Sequence, residues 1–438
     1  MYAEDLKNLH PIISKLLKKP PKEVKEIILP NDLKGLNTEK ELKSSLQNPI
    51  NSKPLDELVN KKDTIAIVTL DDSRTAPQQE MIKAILNEIQ NIKYKDLFIV
   101  IANGTHKKID PKVLGLSKNV LSKFKIYNHD ARNEDELVEI GKVTSRFHEL
   151  NKRILNNTDI EMLQHVCRDA KDKEIFKKKN LQSKGIVKLN KKIFEADVII
   201  LLGSIKPHYF AGYSGGAKSL IPGLADRRFI IRNHLLKIHP KSNLGLVEGN
   251  LVREEIEEAA KLFRKKVFCL NVILNKDREI IKAVSGDIIQ AHRKGVEYAK
   301  QVFEVEAKKA NVIVVSDRYP VSMDIKQTKK VVGAAGKIVK KDGVIIVVAN
   351  CEKGIGSSSK INDLVYKLNL RNKLPKNVSL LLISDLHKEE VETTGFFDYI
   401  LDIKSALKFA EKKLNGKLEI CIIPYGSLVV PIIKGGGS

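Results

Sequence analysis

At 438 residues the chain is longer than one ordinary core accommodates, so two domains, at most three, are expected. Hydrophobic residues make up 42% and charged residues 30%, as in ordinary globular proteins, and no apolar run approaches the ~20 residues that cross a bilayer. The net charge of +23 is mostly lysine in short runs (177–179, 191–192, 340–341); aromatics are only 5% and Trp is absent, so the excess reads as a solvated surface and not as a nucleic-acid face.

The amino-terminal MYAEDLKNLH has no apolar signal core, and no membrane association is expected. Strands are predicted in chain order at TIAIVTL, DLFIVIANG, ADVIILLG, VFCLNVIL, NVIVVSD, GVIIVVAN, SLLLISD and LEICIIP, each a short apolar run bounded by polar or glycine residues. Segments such as QQEMIKAILNEIQNI and VREEIEEAAKLF carry the three-and-four spacing of helices between them. The alternation predicts two α/β domains with largely parallel sheets and an active site in the cleft between them. The expected division is 1–290 and 291–434, with the boundary in HRKGVEYAKQVFEVEAKKA. The polar, lysine-rich stretch at about 153–184 breaks the rhythm and reads as an inserted helical or flexible excursion. Gly435, Gly436, Gly437 and Ser438 resemble a linker scar. Cys167, Cys269, Cys351 and Cys421 are scattered without metal-finger or redox spacing, which predicts buried thiols and a cytoplasmic protein.

Three loops at strand ends carry the residues from which chemistry is built. Asp71, Asp72, Ser73 and Arg74 follow TIAIVTL; carboxylates and Ser73 are natural caps for the next helix, but an arginine there is suited to gripping a carboxylate or phosphate. Asn103, Gly104, Thr105 and His106 follow DLFIVIA, where ligands bind in open sheets. The third segment, HYFAGYSGGAKSLIPGLADRRFIIRNH, holds His208, Lys218 and His234 around a glycine-rich turn. Its GYSGGAKS comes within one residue of the phosphate-cradling GxxxxGK[ST], with Ala217 in place of the last glycine, so a nucleotide hydrolase is one alternative, with Asp317 as its magnesium residue. These residues by themselves point to an anionic ligand and histidine acid–base chemistry, with a metal left open. Glu248, Arg253 and Glu254 read as helix-start residues, and Cys351 as part of a structural glycine turn. His129, His239 and His292 have no supporting pattern.

Taken together, DDSRTAP, NGTH, HYFAGYSGGAKSLIPG with the downstream RNH, LVEGNLVREEIEEAA, the step from Gln327 to Lys330 and CEKGIG resemble, in order, the nickel-pincer-nucleotide lactate racemase family. The resemblance spans about 65–356 and implies a racemase or epimerase of a 2-hydroxy acid. It implies a nickel-bearing pyridinium-3,5-bisthiocarboxylic acid mononucleotide, tethered through Lys218, with His234 as nickel ligand in the first domain. His106 and His208 match the catalytic acid–base pair; Asp71, Asp72, Ser73 and Arg74 match the cofactor-binding step. Arg74, Gln327 and Lys330 match the substrate-binding groups. In the implied reaction one histidine takes the hydroxyl proton while the cofactor accepts hydride, which then returns to the other face of the planar keto acid. The implied partners are the 2-hydroxy acid and the enzymes that make the cofactor. A non-catalytic nucleotide-binding relative is the other alternative, against which both His106 and His208 stand. Ser73 for a usual threonine, Thr75 for a common proline and Lys326 for a frequent tyrosine depart from the pattern and leave the choice of 2-hydroxy acid open.

Overall fold

The computed structural model describes residues 9–167, 169–356 and 359–433; the segment expected to be a linker scar, Gly435 to Ser438, lies outside them. Two six-stranded sheets organise the chain. In the first, the strands run in the order Ile280–Gly286, Lys266–Leu274, Val198–Ser204, Thr64–Leu70, Asp96–Ala102, Lys125–Asn128. All neighbours are parallel except the edge pair formed by Ile280–Gly286 and Lys266–Leu274. The second sheet is wholly parallel: Val24–Ile27, Ile420–Ile423, Ala310–Ser316, Val339–Val348, Ser379–Ile383, Asp398–Tyr399. The two-unit α/β architecture read from the apolar runs is therefore present.

Those runs lack alternation because both faces of each sheet are covered. Along Thr64–Leu70, Ile65 and Ile67 enter one core while Ala66 and Val68 enter another on the opposite face. Ile313 and Val315 are likewise separated from Val312 and Val314 in the second sheet. Each strand contributes side chains to two layers because successive Cβ atoms point to opposite sides.

The division at 290 is corrected at both ends. Helix Pro11–Lys18 buries Ile13 and Leu17 against Val312, Val314 and Ile422, and Val24 pairs with Ile420, so the amino-terminal segment completes the second sheet. Helix Gln290–Phe303 packs on the first sheet, with Gly295 directly against Ile205 and Val284, so the first unit runs to about Phe303. Sequence proximity misled because short apolar strands do not declare which sheet they join.

The excursion after Arg153 is helical, over Asn157–Val166, Ala170–Ile175 and Lys178–Gln182. A capping box between Asn156 and Asp159 starts it, and Leu163, Phe176 and Leu181 are buried in the first unit's core. From there Asp159 reaches Arg371 of the second unit in a two-pronged ion pair, 2.8 Å on each prong. Asn372 adds a hydrogen bond to the Ile154 carbonyl at 2.9 Å. The excursion therefore straps the two units together.

Candidate active site

In the first sheet, Thr64–Leu70 and Val198–Ser204 are neighbours, but the strands that follow each of them lie on opposite sides. Loops leaving a parallel sheet at such a reversal diverge and open a crevice beyond the strand ends. Asp71 and Arg74 enter it from the first strand, His106 from Asp96–Ala102, and Lys206, His208 and Lys218 from the segment after Val198–Ser204. His234 arrives on helix Arg227–Leu235, whose first turn is capped by Asp226 accepting from Phe229 N at 3.0 Å. His106, His208, Lys218 and His234 all line this one cavity, of about 140 Å³.

Asp71 is the anchor on the near side. Its side chain is 3% exposed, takes hydrogen bonds from Ser73 N at 3.0 Å and Ser73 Oγ at 2.5 Å, and meets His106 Nδ1 at 2.7 Å. Burial pushes the Asp71 carboxyl up, but His106, Arg74 and Ser73 together outweigh it and hold the group well below the usual carboxylate range. An ionised Asp71 accepts from His106 Nδ1–H, which leaves His106 Nε2 as the lone-pair nitrogen. His208 is arranged oppositely: its Nδ1 accepts from Ala211 N at 3.2 Å, which puts the ring proton on Nε2. Burial first, then Lys218, Arg74 and Lys330, push the His208 pKa down, so the ring is neutral. One imidazole thus offers an acceptor and the other a donor.

Lys218 is held by its loop. Gly215 (φ 81°) and Gly216 (φ 63°) turn the chain in the left-handed region, and a Cβ on Gly216 would lie 2.8 Å from His292 Cβ. Gly216 N donates to Asn271 Oδ1 at 3.0 Å, and Ser219 Oγ to the Leu202 carbonyl at 2.6 Å. Arg253, fully buried, donates to the carbonyls of Tyr213 and Gly215. Burial, then Arg253 and Arg74, push the Lys218 ammonium far below its usual pKa, which favours the free amine. Phe210 forms a shared floor, with its ring centroid 4.4 Å from His208, 5.1 Å from His234 and 5.8 Å from Lys218 Nζ. His234 is likewise pushed down by burial and by Lys237 and Lys218, against the opposing effect of the Ile230 carbonyl one turn earlier in its helix.

Several expected site residues stand elsewhere. Asp72 is exposed and does not line the cavity; Ser73 is outside its wall and donates its hydroxyl to Asp71. Gln327 and Lys330, on the second unit, are not wall residues either; Lys330 donates to Gln327 Oε1. Lys330 nevertheless sits within reach of the site's charges: burial first, then Arg74 and Lys206, lower its pKa to about 7. Lys326 is paired with Asp363 at 2.6 Å over the Phe396 ring, which occupies the added charge. Arg253 does more than start a helix, and Lys206 went unnoticed. The latter lies between the two sheets' strand ends, its pKa lowered to about 8 by burial and Arg74 against the pull of Asp317. A buried arginine inside an amphipathic helix was the signal for the first; a single lysine before a proline gave none for the second. Asp317 accepts from Ser427 N on the second sheet, across from the glycine loop and not beside it. Among the described residues no three His, Cys, Asp or Glu side chains converge as a metal site.

Fold and cavity define a two-unit α/β protein that gathers a buried lysine and three histidines at a sheet reversal. The family model of the lactate racemase N-terminal domain matches residues 13–158 and 147–245, and that of the lactate racemase C-terminal domain matches 305–378. The chain belongs to the lactate racemase family. It is 28% identical over 426 residues to a lactate racemase of Thermoanaerobacterium thermosaccharolyticum, covering 90% of this chain and 91% of that protein. It is 29% identical over 333 residues to a lactate racemase of Lactiplantibacillus plantarum, covering 75% and 70% respectively. The solved lactate racemase apoprotein of T. thermosaccharolyticum superposes with a TM-score of 0.78 at 26% identity, over 94% of this chain and 96% of that one.

Proposed function

We propose that the chain is a racemase of a 2-hydroxy acid, lactate or a larger relative, working with a nickel-pincer nucleotide tethered to Lys218. The observation that carries the reading is the meeting of Lys218, His234, His106 and His208 in one cavity. The residues fit such a group. Burial that lowers the Lys218 pKa favours the free amine, the form that makes a covalent bond to an acyl-type carbon. His234, a buried imidazole lining the same cavity, would hold the nickel. Gly104, Gly215 and Gly223 lining the walls leave room for a flat ring and its phosphate. When bound, the nucleotide supplies a hydride acceptor, which a 2-hydroxy acid needs because its Cα–H is not acidic.

The protein's own part is proton management and orientation. His106 Nε2 accepts the hydroxyl proton of one enantiomer, and Asp71 stabilises the imidazolium that results. His208, with its proton on Nε2, serves the opposite enantiomer's product, so the pair exchanges roles with the direction of reaction. Arg74 holds the substrate carboxylate by paired hydrogen bonds, with Lys330 and Gln327 closing from the second unit.

Mass spectrometry of the intact chain co-expressed with the cofactor-making enzymes tests this, together with optical inversion of lactate and larger 2-hydroxy acids. A covalent adduct on Lys218, lost in Lys218→Ala along with nickel and activity, is expected. Nickel-dependent racemisation that persists in Lys218→Ala would overturn the proposal.

A further inference from the structure

A second cavity, about 300 Å³, is lined by Tyr209, whose ring stacks on His208 of the catalytic cavity. Tyr209 and Asn243 of the first unit face Lys329, Lys337, Tyr366, Asn369 and Lys373 of the second across it. Three lysines and no carboxylate contribute to its lining. Lys337 Nζ donates to the Leu244 carbonyl at 3.2 Å and Lys373 Nζ to that of Ser242, partners that orient an ammonium without neutralising it. Two acids act on these lysines from outside the lining: Asp363, already held by Lys326 at 2.6 Å, touches Lys329 at 3.6 Å, and Glu304 raises the Lys337 pKa against its burial. Lys237, 3% exposed over the Phe210 ring, is outside the lining but near enough to feel the charges of Lys329 and Lys373. Burial, and for Lys237 also Lys329 and Lys373, lowers Lys237 and Lys373 to about 7. Asn369 Oδ1 is buried there without a partner.

Gathering like charges around a cavity is costly in low dielectric unless an anion compensates them. We propose that this cavity binds a compact multivalent oxyanion of the phosphate class, gripped by Lys329, Lys337 and Lys373 from one unit and closed by Tyr209 and Asn243 from the other. Its room, ~10 water volumes at ~30 Å³ each, admits a pyrophosphate or a small phosphate ester. A phosphate monoester carries about −1.5 to −2 charges near neutral pH, opposite in sign to the three lining lysines, whose acids Asp363 and Glu304 stand outside the cavity. The ligand would also bear on the catalytic cavity, because Tyr209 stacks on His208 with centroids 5.5 Å apart.

Calorimetric titration of the full chain with inorganic pyrophosphate at fixed ionic strength tests the site. Saturable one-to-one binding is expected, weakened at least tenfold by Lys337→Gln and by Lys373→Gln and unchanged by Arg74→Gln. No saturable binding overturns the proposal, as does binding lost in Arg74→Gln but kept in both lysine variants, since the anion would then sit in the catalytic cavity. Should the variants fold poorly, amine acylation of the wild-type chain with peptide mapping gives a second readout. Pyrophosphate should slow labelling of Lys337 and Lys373 at least fivefold, and equal labelling with and without it refutes the site.

Discussion

Replacing Asp71 by asparagine separates the carboxylate's electrostatic role from its shape. The side chain is 3% exposed and takes three hydrogen bonds, from His106, Ser73 N and Ser73 Oγ. Asparagine keeps one acceptor oxygen and turns the other into an NH₂ donor. If the oxygen stays with Ser73, the NH₂ faces His106 Nδ1 and forces the ring proton to Nε2, where it blocks acceptance of the substrate's hydroxyl proton. Loss of a charge-assisted bond alone removes about 1.5–3 kcal/mol, ~10- to 150-fold in rate. Fixing the wrong tautomer extends the loss toward ~10⁴-fold, as in the analogous change in serine proteases. The assay is optical inversion of a single enantiomer by the cofactor-loaded protein, followed in both directions, with Lys218 adduct mass as the control for loading. We expect kcat to fall by about 10²–10⁴ in the direction in which His106 acts as base, the charge on Asp71 being the group lost. Turnover within twofold of wild type in both directions, with loading intact, would refute the Asp71–His106 reasoning.

Arg253→Met leaves the carbonyls of Tyr213 and Gly215 without their buried donor. Denaturant unfolding should show a loss of about 2–4 kcal/mol, and Lys218 should load more slowly; full stability and loading would show that the loop needs no such brace. Lys330, at about 7, is an ammonium below that pH and an amine above it. KM for the acid should therefore rise as pH climbs through about 7, and Lys330→Arg should flatten the rise; a flat wild-type KM over that window counts against its carboxylate role. The Arg371–Asp159 pair has a half-exposed guanidinium, so Arg371→Met should cost only about 1–2 kcal/mol in thermal or denaturant unfolding. Arg371 lowers the Asp159 pKa against the opposing effect of burial, so this contribution is present above the unfolded value of 3.8 and lost as pH falls below it. Wild type and variant should converge in acid, and a pH-independent difference would mean that the pair is not what Arg371 contributes.

The strand runs were readable because parallel strands buried on both faces need continuous apolar residues, as Ile65 to Val68 show. The site loops were readable because glycines, histidines and Lys218 crowd one segment. What was not readable depends on partners distant in sequence. Val24 gives no sign that it pairs with Ile420, Lys206 none that it faces Asp317, and Asp71 none that it meets His106 and not a helix terminus. The excursion after Arg153 read as polar because of its lysines, of which Lys171, Lys173, Lys177 and Lys179 are exposed; Ile160, Leu163 and Cys167 do carry helical spacing, but nothing in them says which core they enter. Asp72 sits beside Asp71 in the same motif, yet the turn sends one to solvent and the other inward.

Among the described residues the strand from Val24 to Ile27 has one sheet neighbour, Ile420–Ile423, which is made long after it. Roughly 400 residues separate the pair, and at ~5–20 residues per second the ribosome takes on the order of 20–80 s to deliver the second member. Through that interval the early segment has no edge to dock on, while the first unit's sheet can already close. The second unit is therefore finished only once Ile420–Ile423 has emerged, and a nascent protein stalled before Ile420 should hold its first unit folded with Ile13 and Leu17 not yet packed against Ile422.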